Sequence, residues 1–403
     1  MSEHSIMNQV AFAYCPVIDR NRAVTATRLS IMPLQQGAVL DAVALLSAIG
    51  EVWPVGKGQV WLDIMSERLV QDIMQAQPPT HLVIEIPAFM ATEAENNSAI
   101  RTVHANGSPL VLKGRPRQDL PRALLACFQY ALIDLDDERR SARMGAGAEM
   151  PAEAMPRGIG LVQSGVRQVA DMEESFRRGS LAVLGWPIDD VTQGSTSRNA
   201  EQPALQAIVQ LIDQVHKEAD IEVLENTLKR DPPLAYKLLR YINSPGFGLS
   251  IEIGSFRHAI MVLGYQRLKR WLALLLATAS KDPNMRPVMY AAVRRGLLME
   301  ELGRSAGNDE MRNELFICGV FSLLDRMFKQ PFAELLKTIP VPEQVFQALV
   351  DGTGPYEPYF RLVSAMENHD MEGVREASEG LFMSMGSVNE ALFKALGQAA
   401  ELD

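Results

Sequence analysis

Cysteine is scarce in this chain. Three copies in 403 residues, Cys15, Cys127 and Cys318, sit in apolar sequence with neither paired nor metal-type spacing. That excludes a disulfide framework and points to a reducing compartment. Long hydrophobic runs are lacking too: the longest, 271–279 and 315–324, fall short of the ~20 residues a membrane-spanning helix needs. The opening MSEHSIMNQV has no charged-then-apolar signal pattern. Nor is there an excess of positive charge. Residues 1–198 hold 18 basic and 22 acidic side chains and residues 199–403 hold 21 and 27, for a net charge of −10. Neither half attracts polyphosphate as a whole. These absences imply a cytoplasmic protein with no membrane insertion and no expected nucleic-acid partner.

What is present is ordinary globular material. Apolar residues make up 47% and charged residues 22%, and the length suits two to three domains. Through the first 190 residues, short apolar runs alternate with stretches of helical spacing. Runs 9–18 and 23–32 flank the polar turn Asp19-Arg20-Asn21-Arg22. Further strand candidates are 60–65, 81–86, 108–112, 131–135, 158–162 and 181–184, with helices expected over 39–49 and 66–75. Such alternation implies βα units and a parallel sheet or barrel. Residues 141–158 read as a loop, and 187–203, rich in Pro, Gly, Ser, Thr and Asn, as an interdomain linker. The division is therefore 1–186, linker 187–203, and a helical domain over 204–403.

Beyond the linker, Leu205, Ile208, Val209, Ile212 and Val215 form one stripe. Asp231-Pro232 offers a cap followed by proline at the first helical position, Ser255 caps a helix closing at Gly264, and Leu268, Trp271, Leu272 and Leu275 share a face. The run DPPLAYKLLRYINSPGFGLSIEIGSFRHAIMVLGYQRLKRWLALLL closely resembles the HDOD domain, a helical relative of the HD metal phosphohydrolases that lacks their metal-binding histidines. Pro233, Leu238, Asn243-Ser244, Gly254, Ile260, Gly264 and Leu323-Leu324-Asp325 carry the resemblance. An HD site needs a His-Asp pair to hold metals that activate water. On FICGVFSLLDRMF that pair falls at Leu324-Asp325, which leaves Asp325 to bond a neighbour or solvent. The one true His-Asp dipeptide, His369-Asp370, reads as a surface helix end. His216 and His258 read as core-edge or surface histidines.

The first half resembles a degenerate EAL domain, and with it the chain resembles the EAL-HDOD two-domain signal transduction proteins. VIDRNRAVTATRLSI resembles the opening EAL hairpin, with Thr27 at the signature glutamate and Ile31 at its arginine. VWLDIM places Asp63 in an asparagine slot, HLVIEIP keeps Glu85, SPLVLKG puts Lys113-Gly114 at paired aspartates, and ALIDL has Leu132 for a lysine while keeping Asp134. The resemblance implies a trimmed EAL-like (β/α) barrel, since ~250 residues are typical of a full one, followed by the all-helical HDOD domain. EAL phosphodiesterases cleave cyclic di-GMP with two divalent metals, which require many hard oxygen ligands. Asp63, Glu85 and Asp134 are few for that task.

The expectation is thus a regulator that is not an enzyme, with no metal or other cofactor. It would contact other signalling proteins, with cyclic di-GMP as a candidate ligand and self-association left open. Two alternatives stand beside it: an active cyclic di-GMP phosphodiesterase or HD-type phosphohydrolase, and a nucleotide or nucleic-acid binder using a basic helix face of Arg267, Lys269 and Arg270 beside Trp271, with Arg294-Arg295. Asp63, Glu85, Asp134, Asn243 and Asp325 complete the positions singled out.

Overall fold

The computed structural model describes residues 5–143, 159–189, 203–229, 253–278 and 282–399, apart from 36, 54–58, 117, 306–307, 329 and 338, together with 236, 242 and 243. Most of the expected 141–158 loop and of the 187–203 linker lies outside the described residues, as does most of 231–252.

Eight strands close into a barrel: β1 (Val10–Asp19), β2 (Val24–Pro33), β3 (Gln59–Ile64), β4 (Leu82–Pro87), β5 (Leu110–Lys113), β6 (Phe128–Asp134), β7 (Gly160–Ser164) and β8 (Ala182–Leu184). β1 runs antiparallel to both β2 and β8, and every other neighbouring pair is parallel. All eight strand candidates of the sequence are found, so whatever trimming the resemblance implied does not fall on the strand count. The first hairpin closes as its polar turn predicts. Asp19 Oδ1 accepts from the amides of Asn21 (2.8 Å) and Ala23 (2.9 Å), and Arg22 takes φ 60°. Helix starts are capped by short polar side chains. Asp41 accepts from the Ala44 amide before Ala42–Val52, and Ser66 from the Leu69 amide before Glu67–Gln75.

Strand interiors are fully buried, with Phe12, Tyr14, Leu29, Leu62 and Ile84 at 0% exposure. Side chains alternate across a strand, so on β2 Arg28 and Ser30 point to the barrel mouth while Thr27 does not line it. Residues 1–190, 365–372 and 384–389 form this compact unit. The last two segments, which the sequence reading assigned to the helical domain, are tied to the barrel. Asn389 Nδ2 donates to the carbonyls of Met7 and Val10, both at 2.8 Å, and the Gly386 amide donates to Asn8 Oδ1 at 3.1 Å.

The other unit is helical. Its principal helices include Pro203–His216, Ile221–Lys229, Phe256–Ala277, Arg286–Leu302 and Asp309–Phe321. Ser255 caps the third through the His258 amide, and Gly264 (φ 70°, ψ 171°) breaks it where the sequence places a helix end. Asn243 braces this region: its Oδ1 accepts from the Ile253 amide at 2.7 Å and its Nδ2 donates to the Ile253 carbonyl at 2.9 Å.

Candidate functional site

In barrels of this kind chemistry concentrates at the C-terminal ends of the strands, and the polar residues of this barrel gather there. Arg28 of β2, Asp63 of β3, Glu85 of β4 and Lys113 of β5 form one cluster. Arg28 donates to Glu85 through a two-point fork, Nε to Oε1 at 2.7 Å and Nη2 to Oε2 at 2.8 Å. The same Nη2 lies 3.0 Å from Asp63 Oδ2. Lys113 Nζ contacts Asp63 Oδ1, and Ser30 Oγ donates to Oδ2 at 2.9 Å. Two cations thus meet two carboxylates. Glu85 is 1% exposed, Asp63 4% and Arg28 8%.

Burial works to raise the Asp63 carboxyl, but Arg28, Lys113 and the Ser30 hydroxyl outweigh it and hold it below its ordinary value. Burial pushes Glu85 upward, and its guanidinium partner pulls back. Beside them burial lifts the Cys15 thiol to about 12, which leaves it a packing residue rather than a nucleophile.

A cavity of about 1100 Å³ opens over the cluster, and Arg28, Ser30, Asp63 and Lys113 are among the residues lining it. Its wall includes Glu367, Asn368 and His369, three consecutive residues fixed by three barrel partners. Tyr14 Oη donates to Glu367 Oε1 at 3.2 Å, Arg167 Nη1 to Asn368 Oδ1 at 2.8 Å, and His369 Nε2 lies 3.0 Å from Ser30 Oγ. His369 takes φ 58° to reach this place, a left-handed conformation that histidine tolerates better than most residues. His369 and Asp370 are exposed and directly follow the helix Glu357–Glu367, the surface helix end expected of them, and this end stands at the rim of the barrel mouth. Local pattern could not show this, because Ser30 lies 339 residues away.

Desolvation, and then the Arg28 charge, hold the His369 imidazole well below its ordinary 6.5, against the pull of Asp63 and a hydrogen bond to the Glu367 backbone; Lys113 adds to the lowering. Its folded value lies below its unfolded one, so the stability tied to neutral His369 is full above pH 6.5 and falls away as pH drops toward the folded value. An NMR titration of the His369 ring should give a midpoint well under 6.5. A midpoint at or above 6.5 would contradict this electrostatic picture.

The other positions are engaged structurally. Asp134 Oδ1 accepts from the amides of Asp136 (3.0 Å) and Asp137 (3.3 Å) and its Oδ2 from Ser164 Oγ (3.2 Å), so it caps the helix Leu135–Arg143. Asp325 Oδ1 accepts from the Arg326 amide at 2.8 Å, the neighbour bond expected of it. The supposed basic face is dispersed. Arg270 pairs with Glu300 at 2.5 Å and stacks over Phe316, Trp271 is buried, and Arg294 and Arg295 are buried at 5% and 7% exposure. Arg267 is exposed and Lys269 half-buried. That arrangement removes the continuous cationic face a nucleic acid would need.

The EAL resemblance implies a divalent metal pair at this mouth. Arg28 occupies the space between Asp63 and Glu85, both carboxylates are spent on cations of the chain itself, and Asp134 is a helix cap. Among the described residues no group of three or more His, Cys, Asp or Glu is arranged to hold a metal ion. The residues as placed do not fit a metal pair. Thr27, matched to the signature glutamate in the sequence, lies outside the mouth, and the inward position beside it is Arg28. A shift of one residue along a strand exchanges the two faces.

The HDOD domain family matches residues 202–330. Among curated proteins, the cyclic di-GMP phosphodiesterase CdgJ of Vibrio cholerae is 26% identical over 178 residues, 44% of this chain and 41% of that protein. The uncharacterized protein YuxH of Bacillus subtilis is 27% identical over 176 residues, 43% of each. The matches thus span less than half the length of these relatives. Among solved structures, the PaMucR phosphodiesterase in complex with c-di-GMP (15% identity, 45% of this chain, 91% of that one, TM-score 0.31) and the FimX EAL domain from Pseudomonas aeruginosa bound to c-di-GMP (13%, 47%, 96%, 0.30) are similar. The expectation of a protein that is not an enzyme is overturned by the likeness to a named phosphodiesterase, which points to an enzyme. No helix among the described residues is long and apolar enough to cross a membrane. The chain carries an HDOD domain at residues 202–330 behind an EAL-like eight-stranded barrel, and is related to proteins of cyclic di-GMP signalling.

Proposed function

We propose that the barrel mouth receives cyclic di-GMP and that cleavage of its phosphodiester is the activity of this chain. The observation that carries the reading is the mouth itself: a cavity of about 1100 Å³ in which Arg28, Lys113, Arg115 and Arg167 line the wall together with six carboxylates, Asp63 and Asp134 among them, and in which the Lys113 side chain is 33% exposed. The relative named as a cyclic di-GMP phosphodiesterase supplies the reaction class. In this reading Lys113 and Arg28 bind and orient a phosphate, while the Glu367–His369 wall narrows the opening.

The test is incubation of the purified intact chain with cyclic di-GMP, with Mg²⁺ or Mn²⁺ and separately with EDTA, followed by chromatography for the linear dinucleotide and by calorimetry. Expected are saturable binding and product, both reduced in a Lys113→Ala variant. Neither heat nor product under any condition would end the reading. A contribution from contacts with other signalling proteins is favoured by Met261 and Phe382 of the helical unit, which are 67% and 97% exposed.

A further inference from the structure

Asp63 and Glu85 are buried and come from neighbouring strands. Two such carboxylates need a positive charge between them, because an uncompensated buried anion is costly. In a metal site a divalent ion supplies it. Here one guanidinium reaches both, within 2.8 Å of Glu85 and 3.0 Å of Asp63, while Lys113 takes the remaining Asp63 oxygen.

We propose that Arg28 is a tethered cation filling the place of a divalent ion, so that the mouth binds a phosphodiester anion without added metal. The inference rests on the cyclic di-GMP reading above and goes further, to the chemistry that holds the phosphate. The two carboxylates neutralise two cations, so the cluster as a whole carries no surplus charge. Asp63 keeps Arg28 and Ser30 as partners when Lys113 swings away. Lys113 is the member of the cluster with the most exposed side chain, at 33%, against 10% for Arg28 and 5% for Asp63. It is the group free to move to an incoming phosphate oxygen, with Arg28 held behind it by its fork to Glu85. The same frame gives a second, independent consequence: without the guanidinium, Asp63 and Glu85 become a pair of buried hard-oxygen ligands open to a divalent cation.

The experiment has two arms on the intact chain. In the first, cyclic di-GMP is titrated calorimetrically into wild type and Lys113→Ala, in EDTA and in Mg²⁺. Wild-type affinity should agree within about twofold between the two buffers, and Lys113→Ala should weaken it about tenfold in both, a charge-assisted contact being lost. Affinity seen only with Mg²⁺ would overturn the inference while leaving the cyclic di-GMP reading intact. Absence of binding in either buffer would remove both. In the second arm, thermal unfolding of wild type and Arg28→Gln is followed with Mn²⁺ alone and with EDTA. Wild type should not shift. Arg28→Gln should rise by several degrees with Mn²⁺. A wild-type rise, or an Arg28→Gln midpoint indifferent to Mn²⁺, would overturn the tethered-cation assignment. Should Arg28→Gln fail to fold, the wild-type thermal comparison and the first arm still decide.

Discussion

Replacing Arg28 by leucine is expected to cost this protein about 3–5 kcal/mol of stability, the usual result of removing one partner from a buried ion pair. Glu85, at 1% exposure, and Asp63, at 4%, would stay behind with only Lys113 to answer them. In thermal unfolding that corresponds to a midpoint lower by on the order of 10 °C. The combined change Arg28→Leu, Glu85→Leu and Asp63→Asn should recover much of the loss, because no buried charge is then left without a partner. A single variant that loses less than about 1 kcal/mol would show that the cluster is more hydrated than its burial implies.

The second large effect lies in the HDOD domain. The helices Arg286–Leu302 and Asp309–Phe321 meet backbone to backbone at Gly296 and Gly319. A Cβ placed on Gly319 would stand 2.6 Å from the Arg295 carbonyl carbon and oxygen and from the Gly296 amide nitrogen. Main chain cannot rotate away as a side-chain tip can, so the helices must separate. Gly319→Ala is therefore expected to destabilise by about 3 kcal/mol, at the upper end of overpacking costs. Gly50 is the control. It lies inside the helix Ala42–Val52 with nothing within 4 Å of its would-be Cβ, so Gly50→Ala should leave stability unchanged or raise it by about 0.5–1 kcal/mol. Urea unfolding of both variants checks the pair. Equal effects would mean that the close approach at Gly319 does not constrain the fold.

The strands were legible because each is a short apolar run bounded by turn-forming residues, a signal held within about ten positions. Val60 to Met65 and His81 to Ile86, for example, lie within one or two residues of β3 and β4. The helix cap at Ser255 was readable for the same reason. The site was harder. Lys113 stood out as a cation where the resemblance expects aspartates, and it is found contacting Asp63. Arg28 was missed by one position, because the choice between Thr27 and Arg28 depends on which face of β2 turns inward, and flanking residues on both faces are apolar and buried. The place of His369 was out of reach. Its surface helix end was readable, but its partner Ser30 belongs to the second strand, and nothing in ENHDMEG places that end beside the barrel mouth. The basic helix face failed for a related reason: a run of Arg gives no sign that Arg294 and Arg295 are buried, whereas Trp271 is buried with the apolar face its spacing predicts.

The central claim is that the chain's own cations hold the phosphate in the barrel mouth. A crystal structure of the intact protein with cyclic di-GMP, grown with EDTA throughout, tests it most directly. The expected result is a phosphate oxygen within hydrogen-bond distance of Lys113 Nζ, with Arg28 still forked onto Glu85. A dinucleotide that appears only when divalent cations are supplied, with an ion between Asp63 and Glu85 and Arg28 turned away, would contradict it.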